Sequence, residues 1–150
     1  MRILAADLGR KHVGLARCDE LGLAAVPHKT LERHSNVSLA EAIAREAVLI
    51  GAGKIVIGHP LNMDGSAGPA AKDAEKIAVL VSGAMTRMSE GAGEGVCRVL
   101  LWDERLSSWE AENLLREMGA PEAKRRKMIH EASAAVILRS YLESGQGGEV

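Results

Sequence analysis

The chain has 150 residues, of which 47% are hydrophobic, and a formal net charge of −1, which together favour one domain able to bury a sizeable core. Its two cysteines, Cys18 and Cys97, lie far apart outside any Cys-x-x-Cys pattern, which argues against a structural zinc site. No apolar stretch approaches the roughly 18 residues of a membrane span, so the sequence predicts a soluble cytoplasmic protein with no membrane partner.

The first third of the chain predicts an antiparallel sheet followed by a helix. Short apolar runs separated by turn residues predict three strands, at 2–8, 13–18 and 23–26. A helix is expected to begin at Ser38, where Ser38-x-x-Glu41 matches a capping box, and to stop near Gly51.

Strands and helices alternate in the rest of the chain. The predicted elements are strands at 54–58 and 96–102 and helices at 69–89, 107–119 and 129–143. Three antiparallel strands followed by alternating helices and strands indicate an α/β fold, with a mixed sheet and helices on both of its faces. We expect one domain over 1–143 and a flexible polar tail over 144–150.

The first predicted strand delivers Asp7 to a turn in which Gly9 would let a phosphate approach the backbone closely. Metal-dependent nucleases of the ribonuclease H type and ATPases of the actin/sugar-kinase type both use this device. The ATPases enclose their nucleotide between two such domains, and 150 residues cannot supply both. Leu15 also stands where a phosphate-binding loop would have lysine. The nuclease is therefore favoured.

Acidic residues end two predicted strands. Asp7 closes the first, and Asp103 and Glu104 close the last. Each of them alone is as typical of a turn or helix cap as of a site. Together they could hold Mg²⁺ or Mn²⁺ against a phosphodiester, because hard cations take several oxygen ligands. Nearby basic residues are the expected contacts to nucleic-acid phosphates, and they are Arg10, Lys11, Arg105, Arg125, Arg126 and Lys127.

Four motifs resemble those of the YqgF/RuvX family, relatives of the RuvC Holliday-junction resolvase. In chain order they are Asp7-Leu8-Gly9-x-x-x-x-Gly14-Leu15-Ala16, Ile55-Val56-Ile57-Gly58-His59-Pro60-Leu61-Asn62-Met63-Asp64-Gly65-Ser66-x-Gly68, Trp102-Asp103-Glu104-Arg105-Leu106-Ser107-Ser108-x-Glu110-Ala111 and Ala134-Ala135-x-x-Leu138-x-x-Tyr141-Leu142. They extend over about residues 2–142, so the resemblance covers nearly the whole chain.

The resemblance implies a ribonuclease H-like fold and a metal-dependent nuclease that matures the 5′ end of pre-16S ribosomal RNA. The family was earlier proposed to resolve Holliday junctions, which makes branched DNA the alternative substrate. Asp7 would be the first metal-binding acid and Glu104 the second, with Asp103 assisting or only capping. A loop near the substrate backbone would contain Gly58, Asn62, Asp64 and Gly65. His59, in the same loop, is expected to be exposed rather than catalytic.

The chain departs from the family at the third acid. The family's aspartate lies eight residues before the leucine that matches Leu138, and that position is His130, followed by Glu131. Histidine ligation would complete a catalytic set of Asp7, Glu104 and His130. It would favour Mn²⁺ over Mg²⁺ and be lost on protonation near pH ~6.5.

Two alternatives to histidine ligation stay open. Glu131 could reach the metal with its longer side chain, or the site could be degraded, leaving a ribosome-assembly factor that binds RNA without turnover. The expected partners are nucleic acid, either pre-rRNA or branched DNA, and ribosomal particles. A junction resolvase should be a two-fold dimer because it cuts two strands symmetrically, and the sequence leaves monomer and homodimer open.

Overall fold

A computed structural model describes residues 1–89, 97–104, 116, 117, 119 and 121–144, and only the backbone over 122–127. Its elements are β1 (Ile3–Leu8), β2 (His12–Cys18), β3 (Ala25–Glu32), α1 (Asn36–Ile50), β4 (Lys54–His59), α2 (Pro69–Met88), β5 (Arg98–Asp103) and α3 (Glu122–Glu143). Among the helices described, none is long and apolar enough to cross a membrane.

The five strands form one mixed sheet in the order β3-β2-β1-β4-β5. The first three strands pair antiparallel along the chain, whereas β4 pairs parallel with β1 and β5 pairs parallel with β4. This arrangement confirms the predicted mixed sheet. Because β1, β4 and β5 run in the same direction, their carboxyl ends lie at one edge of the sheet, which we call the carboxyl edge.

Helices cover both faces of the sheet, as expected from the continuous apolar runs of the two central strands. One core cluster joins α1 and α2 to the sheet through residues such as Ile43, Ile57 and Ile77. The other joins α3 to the opposite face through Val56, Leu138 and neighbouring residues. The side chains of successive residues in β4 therefore point alternately towards α2 and towards α3.

The third strand is longer than the sequence predicted, covering Ala25–Glu32 rather than 23–26. The strand extends past Pro27, although proline donates no hydrogen bond to a ladder. In the structure Pro27 lies on the edge strand opposite Ala16, next to a register shift between Leu15 and Ala16. Edge strands and bulges accept proline, so the strand continues through it.

The N-cap of α1 was predicted three residues too late, and the predicted capping box was wrong. Ser35, with φ −106° and ψ 159°, is the N-cap, and its Oγ accepts a hydrogen bond from the Ser38 backbone N–H at 3.0 Å. The Ser38 hydroxyl in turn accepts from the Ser35 backbone N–H at 3.3 Å, so Glu41 plays no part. The predicted stop is confirmed, since Gly51 ends the helix with φ 71°.

The last helix begins at Glu122 rather than near residue 129. Pro121 directly precedes it, and the fixed φ of proline favours the start of a helix there. The run 125–127 consequently lies within α3 and not in front of it. The predicted helix at 107–119 falls mostly outside the described residues, although Arg116 and Glu117 are helical. The tail from 145 onwards also lies outside them, so the domain bounds stay a prediction.

Helix α3 lies so close to β2 that only glycine fits at position 14. A Cβ atom on Gly14 would clash with the backbone carbonyl of His130 and lie 2.8 Å from the Glu131 nitrogen. Real Cβ atoms are essentially never that near to main-chain atoms, and neither backbone can move without shifting its whole element. Gly14 therefore sets how close the start of α3 comes to the carboxyl edge.

We expect Gly14→Ala to lower the free energy of unfolding by about 1–3 kcal/mol, the usual cost of overpacking. Gly83→Ala is the matched control. Its new Cβ would lie 3.6 Å from Arg87 Nη1, an ordinary contact, and alanine is favoured over glycine inside a helix by about 1 kcal/mol. Urea unfolding should therefore shift in opposite directions for the two variants, and equal midpoints would contradict the close approach of α3.

Candidate active site

The predicted acids meet at the carboxyl edge. Asp7 is the second-last residue of β1. Asp103 is the last residue of β5, in register with His59 of β4. Glu104 follows at once and donates its backbone N–H to the His59 carbonyl at 3.3 Å. The parallel alignment of three strands thus brings together carboxyl groups that are almost 100 residues apart in the sequence.

Asp7 and Glu104 are joined by a hydrogen bond between their carboxyl groups. Burial, the charge and hydrogen bond of Asp7 and the charge of Asp103 together raise the pKa of Glu104 to about 9, and burial has the largest effect. Burial also raises the pKa of Asp7, against the lowering effects of the Glu104 hydrogen bond, the His130 charge and a Ser133 hydrogen bond. The pair therefore retains a proton at neutral pH, held mainly by Glu104.

A glycine makes room for the Glu104 side chain. A Cβ on Gly58 would clash with Glu104 Oε2 and lie 2.7 Å from Ile137 Cδ1. Glu104 Oε2 is itself buried and has no hydrogen-bond partner within the described part of the chain. A buried oxygen without a donor is costly unless a ligand satisfies it, so this atom is suited to a cation.

The structure separates the two candidates for the third ligand. His130 lies near enough to Asp7 for a charge on it to lower the Asp7 pKa. Glu131 is directed towards β3, where its Oε1 accepts a hydrogen bond from Thr30 Oγ1 at 3.0 Å. Of the two residues, His130 is therefore the one near Asp7, and His130, Asp7 and Glu104 do not lie close enough together in this structure to hold a metal ion.

Two further residues at the acids were not predicted. Ser133 is 4% exposed and hydrogen-bonds to Asp7, and its spacing of three residues from His130 places both on one helical face. The His12 ring stacks on the His130 ring, with centroids 5.2 Å apart and planes at 26°. Helical spacing could have revealed Ser133, whereas the contact of His12 depends on how α3 lies across β2.

The expectation that His59 is exposed was wrong, because its side chain is only 17% exposed. The alternation along β4 points Gly58 towards α3 and His59 towards α2, where His59 Nε2 lies 3.5 Å from Glu75 Oε1. His59 is consequently partly buried, on the face of the sheet away from the acid pair.

The loop after β4 is held together by its own polar side chains. Asn62 Nδ2 donates to Ser66 Oγ at 2.9 Å, and the Ser66 backbone N–H donates to Asp64 Oδ1 at 2.9 Å. Hydrogen bonds from the Ser66 hydroxyl and from its backbone N–H lower the pKa of Asp64. Gly65, with φ 87°, completes the turn. The side chains of Asn62 and Asp64 therefore shape this loop.

The turn after Asp7 is anchored by an arginine that the sequence did not single out. Gly9 N–H donates to the His12 carbonyl at 2.9 Å, and Arg33 Nη1 donates to the Gly9 carbonyl at 3.1 Å. Arg10 and Lys11 are exposed at the tip of the turn. Arg105 falls outside the described residues, as do the side chains of the basic run at 125–127.

The acid pair fits one kind of divalent-metal site. In the part of the chain that the structure describes, no group of three His, Cys, Asp or Glu side chains is close enough together to hold a metal ion. Mg²⁺ is commonly bound by one or two carboxylates, and water and substrate phosphates complete its shell. Asp7 and Glu104, with the unpartnered Oε2, match that donor set, and a cation would displace the proton that they share.

Comparisons with known sequences agree with this geometry. A family model described as "RuvX: Holliday junction resolvase" matches residues 1–144. A relative from Lachnospira eligens is 38% identical over 149 residues, covering 97% of this chain and 99% of its own length. One from Geobacillus kaustophilus is 41% identical over 149 residues, covering 96% and 99%. Both are named "Putative pre-16S rRNA nuclease".

Solved structures of resolvases share the fold. The fowlpox virus Holliday junction resolvase matches with a TM-score of 0.58 and 14% identity over 96% of this chain and 99% of that one. Thermus thermophilus RuvC in complex with a Holliday junction matches with a TM-score of 0.53 and 15% identity over 98% and 96%. The predicted ribonuclease H-like α/β fold is thereby confirmed.

The raised pKa of Glu104 predicts how stability depends on pH without metal. The folded protein keeps a proton that the unfolded chain releases near pH 4.5, so this group lowers stability as pH rises from about 4.5 towards about 9. We expect Glu104→Gln to be more stable than the wild type in chelator at pH 8, by at least about 1.4 kcal/mol, the equivalent of one pKa unit.

Chemical unfolding at pH 5 and pH 8 measures this effect. Glu143→Gln is the control, because the Glu143 side chain is 71% exposed in a surface ion pair with Arg139 and should change stability little at either pH. A Glu104→Gln effect of the same size at both pH values would contradict the retained proton.

Proposed function

The chain belongs to the RuvX family, and on that basis we propose that it is a metal-dependent endonuclease that processes the 5′ end of pre-16S ribosomal RNA. The observation that carries the proposal is the buried Asp7–Glu104 pair, which holds a proton where a cation would bind. The names of the curated relatives support the ribosomal RNA substrate. A cytoplasmic location, where that precursor occurs in bacteria, is part of the proposal.

Each residue of the site would have a separate role in the reaction. Asp7 and Glu104 would bind a divalent cation in place of their shared proton, and Gly58 leaves the space that Glu104 occupies. When bound there, the cation supplies Lewis-acid activation of water and of the scissile phosphate. Ser133 holds the Asp7 carboxylate in place, and Asp103 strengthens the negative field without lying in the pair.

His130 would act as the third ligand. Its imidazole faces Asp7, whereas Glu131 is engaged by Thr30. A nitrogen donor in place of the family's aspartate would favour Mn²⁺ over Mg²⁺. His12, stacked on the His130 ring, would orient it as a positioning residue.

Nucleic acid would lie across the carboxyl edge. The proposed contacts to its backbone are Gly9, Arg10, Lys11, Asn62, Asp64, Gly65, Arg105, Arg125, Arg126 and Lys127. Arg10 and Lys11 are exposed beside Asp7, which is where phosphates next to the scissile bond would pass. Ribosomal particles would be partners through the same RNA.

A junction-resolving DNA nuclease is the second candidate. The description of the family model and the names of the resolvase structures favour it. Such an enzyme would work as a homodimer, since the two cuts are related by two-fold symmetry, whereas cutting one RNA strand needs only a monomer.

Cleavage of a labelled pre-16S RNA fragment and of a DNA junction, each with Mn²⁺, Mg²⁺ or chelator, tests both candidates. We expect the RNA to be cut most rapidly with Mn²⁺. Asp7→Asn and Glu104→Gln should each lower the rate at least about 100-fold, because each removes a charge that binds the cation.

His130→Ala in the same assay tests the third ligand. It should abolish the preference for Mn²⁺ together with most of the rate, whereas Glu131→Gln should retain both. RNA binding without cleavage in the wild type would replace the nuclease with a ribosome-assembly factor. Cleavage of the junction alone would replace the RNA substrate with DNA.

His12 is expected to act through its ring. His12→Ala should weaken Mn²⁺ binding about 10-fold, as removal of groups that orient metal ligands usually does. His12→Phe keeps a flat ring on His130 without any nitrogen, so it should restore most of the affinity. Titration of free Mn²⁺ by electron paramagnetic resonance measures both values. Equal losses in the two variants would make His12 a ligand instead.

A further inference from the structure

A groove at the starts of α1 and α2 lies outside the site described above. Its cavity has a volume of about 420 Å³, and its polar lining comes from Asn36, Lys72, Asp73 and Lys76. Gly68, the last residue of the second motif, lies at its border, whereas none of its polar residues belongs to a motif that the sequence singled out. We call it the lysine groove.

The lysine groove carries two positive charges that no described acid offsets. Lys72 and Lys76 are exposed one helical turn apart, and neither forms an ion pair with any residue in the described ranges. Asp73, the acid between them, is engaged by Arg33 Nη2 at 2.7 Å. Glu75 is directed towards His59, with 3.5 Å between Oε1 and Nε2. The groove is therefore suited to an anion.

Arg33 connects the lysine groove to the turn beside the acid pair. Its side chain is only 11% exposed, and it donates to the Gly9 carbonyl at 3.1 Å as well as to Asp73. It also donates to Asn36 Oδ1 at 3.1 Å, so one buried guanidinium holds both walls of the groove. The lysine groove consequently has a fixed position relative to Asp7, two residues before Gly9.

The groove and the acid pair occupy opposite faces of the sheet at the same edge. The acids lie under α3, whereas the lysines project from the first turns of α2, which packs against β4 and β5 on the other face. A nucleic-acid strand that passes over this edge would contact the acids and then the lysines.

We propose that the lysine groove binds backbone phosphates of the nucleic-acid substrate several nucleotides away from the scissile bond. This inference rests on the proposed nuclease function and extends its substrate contact to the second face of the sheet. Two flexible ammonium groups bind phosphate as point charges and do not read bases, so the contact adds affinity without sequence preference.

Binding of RNA oligonucleotides of about 4 and about 16 nucleotides, the range of known single-strand site sizes, tests the groove. Fluorescence anisotropy in chelator separates binding from cleavage. For the longer RNA, Lys72→Glu/Lys76→Glu should weaken binding about 10-fold at low salt. It should also lower the slope of log affinity against log salt by about 1.4, the value for two phosphate contacts on a single strand. The loss should shrink markedly for the shorter RNA.

Arg87→Glu/Arg98→Glu is the matched control, since it reverses the same number of exposed charges at the far end of α2 and the start of β5. At about 0.1 M salt it should leave both affinities within about twofold of the wild type, because screening then confines a charge's effect to about 10 Å. Lys72→Gln/Lys76→Gln, which removes the same two contacts without introducing repulsion, should give about the same change in slope with a smaller loss of affinity.

Equal losses in the groove variant and the control would overturn the proposal, as would a loss independent of RNA length. Thermal unfolding of all three variants excludes misfolding as the cause. A failure of the nuclease function is distinguishable, because it would appear as absent cleavage in the wild type while the difference in RNA binding persisted.

Discussion

The hydrogen bond between the carboxyl groups of Asp7 and Glu104 is the constraint around which the rest of the site is arranged. Two acids can share a buried position only if one keeps its proton, and burial raises the pKa of Glu104 to about 9. Parallel pairing of β1, β4 and β5 places the two strand ends on either side of the end of β4. The missing side chain of Gly58 then leaves room for Glu104. In the metal-free protein the buried Glu104 carboxyl group, which lowers stability as the pH rises, thus lies where a cation would bind.

Helix α3 supplies the burial on which that proton depends. Gly14 lets its backbone come within contact distance of β2, and the same approach carries His130 and Ser133 to Asp7. A side chain at position 14 would move the helix outwards, admit water to the acids and withdraw the candidate third ligand. Gly14 therefore affects both packing and chemistry, because the close approach of α3 to β2 buries the carboxyl groups and also positions the His130 imidazole.

Arg33 has the corresponding role on the other face of the sheet. Its guanidinium joins the turn after Asp7 to Asp73 of α2, and its burial makes those bonds stronger than surface ion pairs. Arg33 thus fixes the turn after Asp7 and the lysine groove relative to each other at the carboxyl edge. A nuclease whose catalytic groups lie on one face can in this way hold its substrate from both faces, provided that the strand crosses the edge between them.

The sequence by itself determined the order of the described strands and helices, the mixed sheet and the position of Asp7, Asp103 and Glu104 at strand ends, because apolar periodicity and strand ends are local properties. Local rules failed where a neighbour decided the outcome. Pro27 is accepted only because β3 is an edge strand, and Ser35 rather than Ser38 caps α1. Only the tertiary structure distinguished the surroundings of His130 and Glu131, since both lie on apolar stripes of α3 and the rotation of that helix over β2 brings His130 near Asp7 and Glu131 to Thr30. The burial of His59 and the contact of His12 with His130 have the same origin, which is the packing of elements far apart in the chain.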